Sequence, residues 1–197
     1  MPLQHFFILI SSILVFLSYI AYDWSILTGG AKPHRTTRFV LLLITILGTS
    51  SLFASHDTVA IWLIGISAVN CIVVFALSLK YGMGGWAPSD IICLLIALVG
   101  IVTWRLTDNP ALGLYAAVVA DFAGMIPTLI KTYRYPDSEY GLMFLLDVSA
   151  DSLILLAITN WQFQNYLYPL YLLIINMVMT FLTQRMKNYS ALTKLYL

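Results

Sequence analysis

The chain has 197 residues, of which 60% are hydrophobic and 10% are charged, and its formal net charge is +1. Soluble globular domains carry about 25% charged residues, so this composition excludes an ordinary soluble domain. The few basic residues form no continuous stripe, which excludes the usual electrostatic footprint of a nucleic-acid-binding protein.

Seven apolar segments follow one another along the chain and predict membrane-spanning helices. A helix needs about 20 apolar residues to cross the hydrocarbon core of a bilayer, and the second and fourth segments are shorter than that. We expect the first segment to be a retained helix, because it lacks the basic n-region and the cleavage site of a signal peptide. Because the loops are short, we expect no domain outside the membrane. The predicted spans are 3–22, 39–54, 59–79, 89–104, 111–131, 141–159 and 165–184.

The distribution of basic residues predicts how these spans are oriented. Nine of the ten Lys and Arg residues lie in alternate loops, after the first, third, fifth and seventh spans, and only Arg105 lies on the other side. Because loops rich in Lys and Arg stay in the cytoplasm, the N-terminus is predicted outside and the C-terminus inside. The expected fold class is an all-α membrane protein with seven transmembrane helices, in a bacterial inner membrane or an organelle membrane.

A weak internal repeat predicts two parallel three-helix bundles joined by a linker helix. Asn70 and Asn176 lie 106 positions apart in the third and seventh spans, and the loops at 32–36 and 135–139 correspond at an offset of 103. Two three-helix halves in the same orientation need an odd helix between them, as in transporters built from parallel repeats. The predicted parts are a first bundle at 1–80, a linker at 81–106 and a second bundle at 107–197.

Polar side chains in the middle of the spans are the candidate site. A charged Asp at a helix centre costs about 2.5–3.5 kcal/mol on insertion scales, so an acid in this position needs a reason. From a helical rise of about 1.5 Å per residue, we expect four polar side chains at one depth near the midplane. Each could instead be a hydrogen-bonded contact between helices. The predicted substrate-binding residues are Asn70, Asp121, Asp151 and Asn176.

Two acids of the sixth span predict proton coupling. Asp147 and Asp151 are four residues apart, so they point the same way from the helix, with Asp147 nearer the cytoplasm. No Lys or Arg lies in the interior of a span, so these acids are protonated, face water or meet a cationic ligand. Burial and neighbouring negative charge both favour the protonated form of a carboxyl group, which could then take up and release a proton.

The segment from Gly124 to Leu142 resembles the PQ-loop motif. In that motif a Pro-Gln pair ends a helix, a basic residue follows a turn later, and a Ser/Thr-Glu-Gly stretch opens the next helix. The resemblance implies the superfamily of the SWEET sugar facilitators, the lysosomal cystine and basic amino-acid exporters and the PnuC vitamin transporters. The residues that carry it are Pro127-Thr128, Lys131, Ser138-Glu139 and Gly141.

This resemblance implies roles for some of the same residues. Asn70 and Asn176 stand where SWEETs have substrate-facing Asn residues, and Leu145-Leu146-Asp147 is similar to the Leu-Leu-Asp of cystine exporters, whose Asp is linked to protons. Pro127 is the implied hinge. The chain departs from the pattern in two places, because Thr128 replaces Gln and the first half has Trp24 near the position equivalent to Pro127.

The hypothesis that follows is a small transporter that moves a polar solute of the sugar, amino-acid or vitamin class by alternating access. The expected partners are this solute and the lipid bilayer, with no nucleic acid, no cofactor and no metal. The alternative is an integral-membrane enzyme that binds a divalent metal ion through Asp147 and Asp151, since paired carboxylates suit hard cations. A retinal protein is excluded because span 165–184 contains no Lys.

Overall fold

A computed structural model of the protein describes residues 3–55, 58–85, 87–107 and 110–195. Over these ranges the chain is all-helical, as predicted. Six of the seven predicted spans lie entirely within one helix, and the span 141–159 exceeds its helix by two residues. The helices are α1 (Leu3–Leu27), α2 (Arg35–Ser55), α3 (Thr58–Tyr81), α4 (Pro88–Leu106), α5 (Pro110–Arg134), α6 (Gly141–Ala157) and α7 (Phe163–Leu195), with a 3-10 helix at Pro136–Ser138.

Three helical segments in the described ranges are long and apolar enough to cross a membrane. They are Leu3–Leu27, Leu114–Arg134 and Asn165–Arg185. Two further apolar segments, Ser67–Tyr81 and Pro88–Thr103, are shorter. This membrane-like helical character agrees with the predicted class, whereas the number of crossings and their orientation stay predictions.

The helices divide into two compact units, each of which combines helices from both halves of the chain. The first unit comprises Met1–Ala31 and Lys131–Leu197, and in it α1 packs on α6, which packs on α7. The second unit, Lys32–Ile130, holds α2, α3, α4 and most of α5, and in it α2 packs on α3 and α4. The division into bundles at 1–80 and 107–197 groups the helices differently and stays a prediction.

The start of α4 fixes the loop that precedes it in the second unit. Pro88 occupies the first turn of the helix, where its missing N–H costs nothing. Asp90 Oδ2 accepts hydrogen bonds from the backbone N–H groups of Gly85, at 3.1 Å, and Ala87, at 3.2 Å. His34 Nε2 lies 3.6 Å from the same oxygen, and His34 and Asp90 are both buried. The loop after α3 is therefore held against the beginning of α2.

Candidate functional site

Asp151 of α6 and Asn176 of α7 meet in the first unit. The amide Nδ2 of Asn176 donates a hydrogen bond to Asp151 Oδ2 at 2.9 Å, and both side chains are half-buried. The two helices also approach closely at Gly141, where an added Cβ would lie 2.6 Å from Thr183 Oγ1. The structure thus brings together two of the four predicted substrate-binding residues.

The chemistry of this pair selects for a ligand that donates hydrogen bonds. An ionised carboxylate only accepts, so Asn176 must present its NH₂ group to Asp151, which leaves the Asn176 carbonyl oxygen as an acceptor. The other carboxylate oxygen of Asp151 is an acceptor as well. Within the described residues, Asn176 is the hydrogen-bonding partner of Asp151, and no basic side chain is paired with it. An ammonium group or a set of hydroxyls would complement these atoms.

The remaining acids and amides of the predicted site are distributed over both units. Asn70 of α3 is half-buried and Asp121 of α5 is buried, and both belong to the second unit. Asp147 is half-buried on α6, one turn before Asp151. The predicted convergence of Asn70 and Asp121 with the Asp151–Asn176 pair stays a prediction.

Pro127, the predicted hinge, lies inside α5 at a close contact with α2. Proline has no N–H, so the helix loses the hydrogen bond to the carbonyl of Ala123. The next carbonyl, that of Gly124, accepts a buried hydrogen bond from Thr37 Oγ1 at 2.7 Å. A Cβ added at Gly124 would lie 2.5 Å from Val40 Cγ1. The proline thus stands beside a glycine that lets the two helices touch.

A buried ionic cluster occupies the segment that resembles the PQ-loop. Lys131 Nζ lies 2.5 Å from Glu139 Oε1, and the hydroxyl of Tyr22 donates to Glu139 Oε2 at 2.8 Å. Each of these three residues is at most 5% exposed. The cluster joins α1 to the segment between α5 and α6.

Lys131 and Glu139 are motif residues in the sequence, but neither their contact nor the part of Tyr22 was predicted. One signal was available, because Glu139 is the only Glu in the chain and a Lys stands eight residues before it, across a Pro-containing turn. Nothing in the sequence pairs Tyr22 with a residue 117 positions away.

The described part of the chain contains no group of three or more His, Cys, Asp or Glu residues that could hold a metal ion. The enzyme alternative based on Asp147 and Asp151 stays a prediction. No family model, no curated protein and no solved structure matches this chain.

Proposed function

We propose that the protein is a multi-pass membrane transporter for a small polar solute. In this proposal all seven helices cross the bilayer, the N-terminus is outside, the C-terminus is cytoplasmic, and two parallel three-helix bundles are joined by a linker helix. The similarity of the segment around Pro127, Lys131 and Glu139 to the PQ-loop motif supports this architecture, and the extensive apolar helices are consistent with it.

The contact between Asp151 and Asn176 carries the functional proposal. A carboxylate in an apolar helix is costly, and packing alone does not require one. Among the described residues its hydrogen-bonded neighbour is a neutral amide, so a positive charge or a proton would balance it. We therefore favour a cationic, zwitterionic or polyhydroxylated solute over an anionic one.

Alternating access would expose this pair to one side of the membrane at a time. Pro127 would act as the hinge, because the broken hydrogen bond at Ala123 makes α5 easier to bend there. Asp147 and Asp151 would carry the coupled proton, since they lie one turn apart on α6. Asn70 and Asp121 stay predicted substrate-binding residues of the second unit.

The proposal is tested by identifying the solute and then removing the acid. A ligand that binds the folded protein raises its melting temperature, so a thermal-shift screen of sugars, amino acids and vitamins at two pH values would reveal candidates. Uptake of the solute into proteoliposomes is then compared for wild type and Asp151→Asn.

The expected result is a loss of at least about tenfold in uptake by Asp151→Asn, because a hydrogen bond to a charged group contributes about 1.5–3 kcal/mol. The matched control is Asp137→Asn, the same change at an exposed acid of the 3-10 helix, which should transport normally. Unchanged uptake and unchanged pH dependence in Asp151→Asn would show that Asp151 neither binds the solute nor carries the coupled proton.

A further inference from the structure

We propose that the second unit binds one anionic phospholipid at a small cavity beside the start of α2. The cavity has a volume of about 260 Å³ and is formed by α2, the end of α3, Gly85 and α4. Its walls are mostly apolar, and Arg35 supplies the charge in its lining. The apolar side chains are Phe39, Phe75, Leu79 and Leu94.

The apolar part of this cavity is suited to a hydrocarbon chain. The rings of Phe39 and Phe75 lie 5.7 Å apart between centroids and form one wall. Leu79 is 58% exposed and Phe39 is 36% exposed, so the cavity opens to the surroundings of the helices. Its volume is below the range of about 300–1,000 Å³ typical of small-molecule pockets. It therefore fits part of one acyl chain better than a bulky ligand.

The polar part of the cavity is suited to a phosphate group. Arg35 Nη1 donates to the backbone carbonyl of Gly84 at 3.0 Å, which fixes the position of the guanidinium. A guanidinium has five N–H donors, so the others can form the two parallel hydrogen bonds by which Arg recognises phosphate.

These two parts together determine the class of ligand. Free phosphate would leave the aromatic wall uncovered, and a neutral lipid would place no negative charge opposite Arg35. An anionic glycerophospholipid complements both, and the predicted orientation puts this end of the helices at the cytoplasmic leaflet, where basic pockets between helices bind anionic head groups. The inference rests on the membrane setting of the proposed function and is independent of the solute.

Lipid binding to the purified full-length chain tests this inference. The melting temperature is measured with phosphatidylglycerol, with phosphatidylcholine of the same acyl chains, and with glycerol 3-phosphate alone. The difference between the two lipids is the readout, because a purely structural role of Arg35 would lower both melting temperatures equally. We expect phosphatidylglycerol to stabilise the wild type more than phosphatidylcholine does, and glycerol 3-phosphate to have little effect.

Variants at both ends of the cavity sharpen the test. Arg35→Gln should weaken phosphatidylglycerol binding by about fivefold, the effect of one basic residue near an anionic lipid, whereas Arg35→Lys should keep most of the preference. Leu79→Trp, which fills the apolar part, should weaken binding as well. The matched control is Arg105→Gln at the exposed end of α4, which should behave as the wild type.

Three results would each overturn the inference: equal stabilisation by both lipids, an equal effect of glycerol 3-phosphate, or an unchanged lipid preference in Arg35→Gln. Solute uptake is not measured in this experiment. A failure here therefore leaves the transport proposal intact, and a failure of Asp151→Asn to alter uptake leaves the lipid site intact.

Discussion

Glu139 accepts hydrogen bonds at both of its carboxylate oxygens, from Lys131 and Tyr22, inside the first unit. The side chains of Lys131 and Glu139 are 4% and 0% exposed, so water contributes little to their solvation. An ion pair in such a place contributes modest net stability, but removal of one partner leaves the other charge uncompensated. The stability of the cluster is therefore more sensitive to a single substitution than to the replacement of both charged residues together.

We therefore expect Glu139→Gln to lower the free energy of unfolding by about 3–5 kcal/mol, because Lys131 would keep a buried charge without a counter-ion. The double variant Lys131→Met with Glu139→Gln should recover part of this loss. The measurement is thermal unfolding of each variant under the same conditions. The control is Asp137→Asn, two residues away and exposed. If Glu139→Gln is as stable as Asp137→Asn, the cluster does not stabilise the fold.

Among the elements, the contact of α2 with α5 depends on a position without a side chain. Gly124→Ala would place its Cβ 2.5 Å from Val40 Cγ1 and 2.9 Å from Val40 Cβ, both in buried residues. Overpacking of this kind costs about 1–3 kcal/mol. We expect a lower melting temperature for Gly124→Ala and its recovery when Val40→Ala is added. A double variant no more stable than Gly124→Ala would show that the collision is absent.

The helices themselves could be predicted from the sequence because the thickness of the bilayer fixes the length of an apolar segment. The ends of the helices could be predicted less accurately. α1 continues from residue 22 to Leu27 through polar residues, and Tyr22 and Ser25 are buried there. α7 continues from residue 184 to Leu195. Hydropathy marks where a chain leaves the hydrocarbon region, whereas backbone hydrogen bonds determine where the helix stops.

In the molecule as a whole, the two compact units join the first helix of each predicted half to the later helices of the other half. Tyr22 of α1 contacts Glu139 ahead of α6, and Thr37 of α2 contacts Gly124 of α5. Each of these buried contacts therefore joins a residue of 1–80 to a residue of 107–197. Hydropathy could not reveal which helices pack together, because every apolar span is an equally good neighbour for every other.

The orientation of the whole chain is testable by cysteine labelling. In a background with Cys71 and Cys93 replaced by Ala, Asp137→Cys lies in the predicted cytoplasmic loop and Asn160→Cys in the predicted outer loop. Both positions are exposed. An impermeant maleimide should label Asn160→Cys in intact cells and Asp137→Cys only after permeabilisation. Equal labelling of both positions from one side would mean that α6 does not cross the membrane.

The candidate site was predictable only in part, for a physical reason. The cost of burying an acid singles out Asp151 in an apolar segment, and depth alone brings Asn176 to its level. Depth does not show which helices are neighbours, so the hydrogen bond between these two residues could not be predicted from the sequence.

Solute affinity in a double-mutant cycle at this pair tests the transport account most directly. Binding to the purified protein is measured for wild type, Asp151→Asn, Asn176→Ala and the combination of both. If the solute binds at this pair, each single change should weaken binding by about tenfold or more. The combined variant should lose less binding free energy than the sum of the two single losses, since residues in contact act together. Wild-type affinity in Asp151→Asn, or two fully additive losses, would contradict a solute site built on this pair.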